Sequence, residues 1–335
     1  MAEKTGIILK KSINNPVFRI VILMVAVVII GSVIIPGQFL TQANLTSIFK
    51  QLSEYGILAL AVFICMVSGG IDLSVVYIAN LCAIVMGTFL SKTIGSGNYV
   101  GSPALMITAG CLIVFVIGCI CGALNGLLVG RLRVPAMLAT LGSGQLILGI
   151  STVVTRGQAI TGVPSEFTKL AGIRLWIFPL NFLVFVICAV AVYVVMTRTT
   201  FGIRTFLIGS NSKAAVFSGV RNNLDLLKAY MISGVLASVS GIISVMRMSS
   251  AKPDYGTSYV MFSILICVFG GTNPNGGQGN VSGIVLATIV LQMVATMMNM
   301  FHSINSFYRD IVWGALLLIM LIVNYIMDNR HVTGR

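Results

Sequence analysis

The chain has 335 residues, of which 57% are hydrophobic and only 9% are charged, and its mean hydropathy is +1.01. About a quarter of the residues in a soluble protein are charged, so this chain has too few charges to cover a surface that faces water. The composition excludes a soluble enzyme, a secreted disulfide scaffold and a disordered protein, and it predicts a polytopic membrane protein. The net charge of +13, from 21 Lys and Arg against 8 Asp and Glu, indicates basic loops beside anionic membrane lipid rather than binding of nucleic acid.

Ten apolar stretches have the length of a membrane helix, which takes roughly 20 residues to cross a hydrocarbon core of about 30 Å. The predicted spans are residues 17–35, 48–68, 73–91, 103–129, 134–154, 175–197, 227–247, 256–271, 280–300 and 310–327. The second is the least regular, because its start carries Lys50 and Glu54. No linker divides the chain, so we predict a single all-α transmembrane domain over residues 1–335.

The orientation of these spans follows from the basic residues. With the N-terminus inside, most of the 21 Lys and Arg residues lie in cytoplasmic segments, and the longest basic loop is residues 198–228. Both termini are then expected in the cytoplasm, with residues 1–16 as a cytoplasmic N-terminal segment.

Small residues recur at four-residue spacing in the fourth span, at Gly118, Gly122, Gly126 and Gly130. Such a stripe lets two helix backbones approach closely, so it predicts helix packing, with the lining of a substrate path as the alternative. The seventh span carries Ser233, Ala237 and Gly241 at the same spacing.

Charged residues are almost absent from the centres of the predicted spans. Glu54, Asp72, Arg309 and Asp310 are expected near span ends, where long side chains reach water. Carriers driven by protons or sodium use carboxylates within the membrane, so this distribution argues against such a carrier.

Neutral polar side chains occur in several spans instead. They suit the passage of an uncharged, hydroxyl-rich solute, although hydrogen bonds between helices explain each of them equally well. These candidate pathway residues are Asn80, Asn125, Gln145, Gln292 and Asn299.

The cytoplasmic loop 198–228 contains the signals of a short helix. Asn211 is a good N-cap, residues 212–218 favour helix, and Gly219 is placed to end it in a left-handed conformation. Asn223 is expected to cap the following span, with Asp225 in its first turn. A helix this short is not stable in water by itself, so we expect it to dock on its own protein or on a partner. It would expose Ala214, Ala215 and Phe217, with Lys213 beside them, which fits the recognition of a helix in a groove. The alternative, an interfacial helix on lipid, requires a larger apolar face.

Four stretches of the chain resemble one family in order and spacing. They are residues 68–75 (SGGIDLSV), residues 134–142 (Val-Pro followed by Ala-Thr-Leu-Gly), residues 209–220 (GSNSKAAVFSGV) and residues 270–283 (GGT, then GGQG and Gly283). Together they are similar to the ribose-, xylose- and arabinose-type permeases of ABC transporters.

The resemblance implies a type II ABC importer permease with about ten helices in the bacterial inner membrane. It implies a pore formed with a second copy or a paralogous permease, a cytoplasmic ATPase that binds ATP and Mg²⁺, and an extracytoplasmic solute-binding protein. It also implies that the loop contacting the ATPase contains Gly209, Asn211, Lys213, Ala214, Ala215, Phe217, Ser218 and Gly219. The signature residues expected to shape the fold are Gly69, Gly70, Asp72, Ser74, Gly270, Gly271, Thr272, Gly276, Gly277 and Gly279.

The chain also departs from the family pattern. Val260 and Phe262 stand where the family usually has acidic residues, and Val76 replaces a glycine. These changes leave the cargo open among ribose-like sugars, nucleosides, amino acids and signalling sugars.

Catalytic and metal-binding motifs are missing from the sequence. It has no phosphate-binding loop, and His302 and His331 lie far from any cysteine or acidic cluster. We therefore predict a transport subunit without cofactor, metal or ATPase site of its own. The alternative class is an ATP-independent carrier or channel for a small polar solute.

Overall fold

The computed structural model describes residues 16–97, 101–300 and 307–333, which are almost entirely helical. Of the predicted N-terminal segment 1–16, only Pro16 is among these residues. His302 lies outside them. The helices are α1 Pro16–Ile34, α2 Gln42–Val67, α3 Val75–Thr93, α4 Pro103–Gly130, α5 Ala136–Thr155, α6 Ser165–Thr168, α7 Leu180–Arg198, α8 Thr200–Ser210, α9 Ser212–Phe217, α10 Asn222–Met248, α11 Tyr259–Phe269, α12 Val281–Met300 and α13 Phe307–Thr333. A 3₁₀ turn, Lys169–Gly172, and a hairpin of β1 Arg174–Leu175 with β2 Phe178–Pro179 lie between α6 and α7.

The ten predicted spans correspond to ten apolar helices. Among the described residues, 8 helices are long and apolar enough to cross a membrane, and shorter apolar helices cover Tyr259–Phe269 and Asp310–Ile322. The all-α polytopic prediction is confirmed.

The second span begins six residues earlier than predicted. The Thr41 hydroxyl accepts a hydrogen bond from the Asn44 backbone N–H at 3.3 Å, so α2 starts at Gln42. As a result Glu54 lies at the midpoint of the 26-residue helix rather than near its end.

Helix α11 is too short to cross the membrane. Its 11 residues extend about 16 Å at 1.5 Å per residue, roughly half of the hydrocarbon core. The preceding loop 249–258 therefore descends into the membrane, where its carbonyls need partners inside the protein. The Asn80 side-chain amide supplies them by donating to the carbonyls of Pro253 at 2.9 Å and Tyr255 at 2.8 Å.

Helix α10 is the centre of the packing, between α4 on one side and α2 and α3 on the other. A Cβ on Gly118 would lie 2.8 Å from the Ser238 side chain, and one on Gly122 would collide with the Tyr230 backbone. Gly241 faces the backbone of Ala79 on α3. The glycine stripe of α4 is thus a helix contact, as predicted.

The connecting loops gather on two opposite faces, as alternating spans require. On the extracytoplasmic face, Ile160 pairs with Ala251, and the Thr46 hydroxyl reaches the Ile177 carbonyl. On the cytoplasmic face, the Gly277 N–H donates to the Val67 carbonyl at 2.9 Å.

Candidate functional site

The cytoplasmic segment 198–228 contains a short helix with the predicted caps. The Asn211 side chain accepts a hydrogen bond from the Ala214 N–H at 3.0 Å, and Gly219 has a φ of +80° just after α9. The residues before Asn211 are helical as well, because the Thr199 hydroxyl caps α8 at Gly202. Treating Thr200–Ser210 as loop was therefore wrong.

Helix α9 presents Lys213, Ala214 and Phe217 to the cytoplasm, and Phe217 is 92% exposed. Ala215 is only 3% exposed, so the expectation that it is on the surface was wrong. The Ala215 side chain faces the rest of the protein, about 100° around α9 from the exposed Ala214.

A side-chain amide joins α9 to α10. The Asn222 side chain donates to both the carbonyl and the hydroxyl of Ser212, each at 2.9 Å. Asp225 lies in the first turn of α10, as predicted, and is buried. The predicted cap at Asn223 is wrong, because the N-cap position is Arg221 and its side chain makes no capping bond.

Three signature glycine segments meet in the last turn of α8, two residues before the Asn211 cap of α9. A Cβ on Gly276 would lie 2.7 Å from the Cα of Gly69 and 3.0 Å from the Cα of Gly209. A Cβ on Gly209 would collide with the Val67 carbonyl. These contacts bring the ends of α2 and α8 together with the loop between α11 and α12, backbone against backbone.

The other signature residues pack around this junction. Gly70 lies against the Tyr230 hydroxyl, and Gly270 lies against the backbone of α12 at Gly283 and Ile284. Gly271 and Gly277 both have positive φ, and Gly279 lies next to the buried Thr272.

The Asp72 carboxylate is fully buried between α2 and α3, so the expectation that it reaches water was wrong. It accepts hydrogen bonds from the Ser74 N–H at 3.0 Å, the Ser74 hydroxyl at 2.6 Å and the Ser233 hydroxyl at 2.9 Å. Burial raises the pKa of Asp72, and these three donors oppose that rise. Asn125 extends the network by donating to Ser74 at 2.7 Å.

A buried ion pair lies in the extracytoplasmic half of the protein. The Arg247 guanidinium donates to the Glu54 carboxylate at 2.7 Å and to the Tyr255 hydroxyl at 2.6 Å. The Glu54 side chain is 2% exposed and does not reach water, contrary to expectation. A carboxylate is therefore present within a span, and the argument that a carrier is excluded by its absence no longer holds. The capping threonine before α2 was the one sequence signal for the position of Glu54.

The five candidate pathway residues do not form one group. Asn80, Asn125 and Gln292 are buried inside the helix assembly, whereas Gln145 and Asn299 are exposed. Their roles in transport stay predictions.

Comparison with known proteins gives a consistent picture. The profile of the family described as "Branched-chain amino acid transport system / permease component" matches residues 44–321. The chain is 31% identical over 310 residues to the galactose/methyl galactoside import permease protein of Escherichia coli (strain K12), covering 90% of this chain and 91% of that protein. It is 31% identical over 300 residues to the ribose import permease protein of Bacillus subtilis (strain 168), covering 89% of each chain. It is 32% identical over 285 residues to an autoinducer 2 import system permease protein of Photorhabdus temperata, covering 82% of this chain and 81% of that protein. No solved structure matches the chain.

Proposed function

The chain belongs to this permease family of ABC importers, and we propose that it forms the membrane pathway of an importer for a monosaccharide. Family membership makes it a transport subunit of the bacterial inner membrane rather than an enzyme. The proposal on cargo is supported by relatives that are named for galactose and ribose. Ribose is our first choice, because the signature motifs resemble those of ribose-type permeases.

The buried polar groups favour a neutral cargo over an amino acid. Asn80, Asn125 and Gln292 are uncharged amides, and two of the three buried carboxylates, Glu54 and Asp72, are already held by Arg247 and by serine donors. The third, Asp225, lies in the first turn of α10, at the cytoplasmic end of that helix. An amino acid brings an ammonium and a carboxylate that both need charged or multiple partners when they leave water. The autoinducer 2 relatives keep a signalling sugar open as an alternative cargo.

The energy for transport would enter through α9. Phe217 is 92% exposed at the end of a helix whose two ends are fixed by Asn211 and Gly219, and this observation carries the proposal. A cleft of about 490 Å³ opens beside it, lined by Lys213, Phe217 and residues of α4 and α10. An aromatic anchor next to a groove is what a docking ATPase can recognise. That ATPase would hold the ATP and Mg²⁺, while this chain binds no cofactor or metal.

In the proposed cycle, closure of the ATPase dimer on ATP moves α9, and the pathway alternates its opening between the two sides. A second permease, either another copy or a paralogue, would complete the pore. The solute would arrive on an extracytoplasmic binding protein.

Truncation of Phe217 tests the coupling. We expect Phe217→Ala to weaken association with the ATPase about tenfold or more and to lower sugar uptake by the complete importer in proteoliposomes, because a buried aromatic anchor is lost. Leu138→Ala, another exposed apolar side chain, in the first turn of α5 and outside the lining of this cleft, is the matched control and should leave both unchanged. Equal ATPase binding by the two variants would contradict the role of α9. A charged replacement of the buried Ala215 is a poor test, because it would disturb the loop itself.

The alternative of an ATP-independent carrier or channel is disfavoured by the family. The Glu54 carboxylate, which a coupling ion would need, is neutralised by Arg247 at 2.7 Å.

A further inference from the structure

A small cleft opens toward the extracytoplasmic side between α2, α11, α12 and α13. We call it the outer cleft, and its lining includes Tyr55, Tyr259, Phe262, Gln292, Asp310 and Trp313. Asp310 lies in the first turn of α13 and Tyr259 begins α11, and both helices start on the extracytoplasmic side. A solute that leaves a binding protein on that side would meet this cleft before it met the middle of the membrane.

Gln292 gives the outer cleft an unused hydrogen-bond acceptor. The residue is 1% exposed, and its amide nitrogen donates to the Gln51 side-chain oxygen at 3.2 Å. Its own Oε1 atom has no hydrogen-bond partner among the described residues. A buried carbonyl oxygen without a donor is costly, so this atom is a candidate contact for a ligand hydroxyl.

The tyrosines of the cleft also present acceptors. The Tyr55 hydroxyl donates to Tyr259 at 3.4 Å, and Tyr259 donates to Tyr255 at 3.2 Å. Tyr255 in turn accepts from Arg247. Because the O–H groups point inward along this chain toward the ion pair, the lone pairs of Tyr55 are left for a ligand. None of the described residues that line the cleft is basic.

Aromatic rings form the apolar wall of the cleft. The ring centroids of Phe262 and Trp313 are 4.7 Å apart, and Tyr55 meets Tyr259 edge to face at 4.7 Å. Trp313 is only 7% exposed, so its ring is fixed by packing. A rigid aromatic wall beside hydrogen-bond acceptors matches a ring that carries C–H groups on its face and hydroxyls at its edge.

We propose that the outer cleft is a subsite for a neutral, hydroxyl-rich solute, an inference that rests on the proposed function. Ligand hydroxyls at one edge of the ring donate to the Gln292 Oε1 atom and to the Asp310 carboxylate, and the C–H groups of that edge contact the aromatic wall. The cavity has a volume of about 30 Å³, room for one or two water-sized groups. Only one edge of a sugar therefore enters it, which keeps binding weak, as passage through a membrane requires.

A cationic ligand is the main competitor, since aromatic rings and a carboxylate also attract an ammonium group. The acceptor that is buried in the cleft is a neutral amide, however, and the one carboxylate is exposed at the rim. Transfer of a cation from water to a neutral amide is unfavourable, so the geometry favours the uncharged ligand.

The two tryptophans of the chain offer a direct assay. Trp176 is 76% exposed on the extracytoplasmic hairpin, whereas Trp313 lines the cleft. Trp176→Phe leaves Trp313 as the single fluorescent reporter in the full-length chain in nanodiscs. Titration with D-ribose or D-galactose should change the Trp313 emission in a saturable way at millimolar concentrations, and titration with choline should not.

Two variants in the reporter background test the contacts. Gln292→Leu should raise the Kd for the sugar about tenfold, as expected for one buried hydrogen bond. Asp310→Asn, at the exposed rim, should fold normally and cause a smaller increase. Gln38→Leu, an exposed glutamine in the loop before α2, is the matched control and should leave the Kd unchanged.

The outcomes distinguish a failure of the proposed subsite from a failure of the proposed cargo. An emission response to choline alone, or the same sugar Kd in both variants and the control, overturns the subsite. The complete importer, with its ATPase and binding protein, is measured in parallel. Uptake of sugar with unchanged KM in both variants contradicts only the subsite, whereas an importer that takes up neither sugar contradicts the proposed cargo.

Discussion

Among single side chains, the buried carboxylate of Glu54 imposes the largest constraint on the fold. A charge at that depth is tolerated only with a partner, and Arg247 supplies it with two nitrogen atoms at 3.2 and 2.7 Å. The pair links α2 to the end of α10, and through Tyr255 it reaches the loop before α11. The position of this loop therefore depends on the pair.

Removal of the cation from the pair should destabilise the protein strongly. We expect Arg247→Gln to lower the free energy of unfolding by about 3–5 kcal/mol, because Glu54 is left buried and unpaired. The double variant Glu54→Gln/Arg247→Gln should recover most of the loss. Thermal unfolding in detergent measures both, and Lys252→Gln, an exposed cation in the adjacent loop, should have no effect. If Arg247→Gln is as stable as the parent protein, the pair does not hold the loop.

The predictability of these residues depended on how far their partners lie along the chain. The caps of α9 were predictable, because Asn211, Ala214 and Gly219 lie within one short segment. The ion pair was not, because its members are 193 residues apart and the start of α2 depends on one threonine contact. Ala215 was misjudged because the direction of a side chain on a two-turn helix is decided by what packs behind it. Asn223 was misjudged because α10 already begins at Asn222, with Arg221 at the N-cap position.

At the scale of helices, α4 and α10 pack closely because glycines, which have no side chain, line their contact. In lipid no hydrophobic force drives helices together, so their association depends on close packing of the backbones. Gly118, Gly122 and Gly126 each lie against the backbone of α10, and Gly234 on α10 lies against α4 in return. Hydropathy predicted both spans, and the four-residue spacing predicted the packing face.

A single added methyl group should distinguish packed glycines from open ones. We expect Gly122→Ala to lower the melting temperature in detergent, because its Cβ would lie 2.9 Å from the Tyr230 carbonyl carbon and even closer to its oxygen. Gly149→Ala on α5 is the control, since no atom lies within 4 Å of its added Cβ. Alanine is favoured over glycine in a helix by about 1 kcal/mol, so that variant should be neutral or slightly stabilised. Equal melting temperatures would show that the close contact contributes nothing.

The short α11 was the helix that sequence could not delimit. An apolar stretch at 256–271 predicted a full span, but helix begins only at Tyr259. The reason is tertiary, because residues 253–258 form turns and Asn80, far away in the chain, binds the carbonyls of Pro253 and Tyr255 there. Helix α8 was missed although its cap, Thr199, lies next to it in the sequence. The polarity of its residues suggested a loop instead.

For the molecule as a whole, the proposed function predicts dependence on a partner. We expect the purified chain in vesicles to give no concentrative uptake of D-ribose or D-galactose under a proton, sodium or potassium gradient. Addition of the ATPase, the binding protein and Mg-ATP should restore it. Uptake by the chain alone, driven by an ion gradient, would contradict the coupling through α9, and vesicles containing the Phe217→Ala chain with all partners serve as the control for leakage.

The glycine junction at the end of α8 has a mechanical consequence. Gly69, Gly209 and Gly276 bring three chain segments into contact without any side chain between them. Side chains can change rotamer and so absorb small shifts, whereas touching backbones have no such compliance. Under the proposed coupling, a displacement of α9 would therefore pass to the loop between α11 and α12 with little loss, so that these glycines would provide stiffness rather than strength.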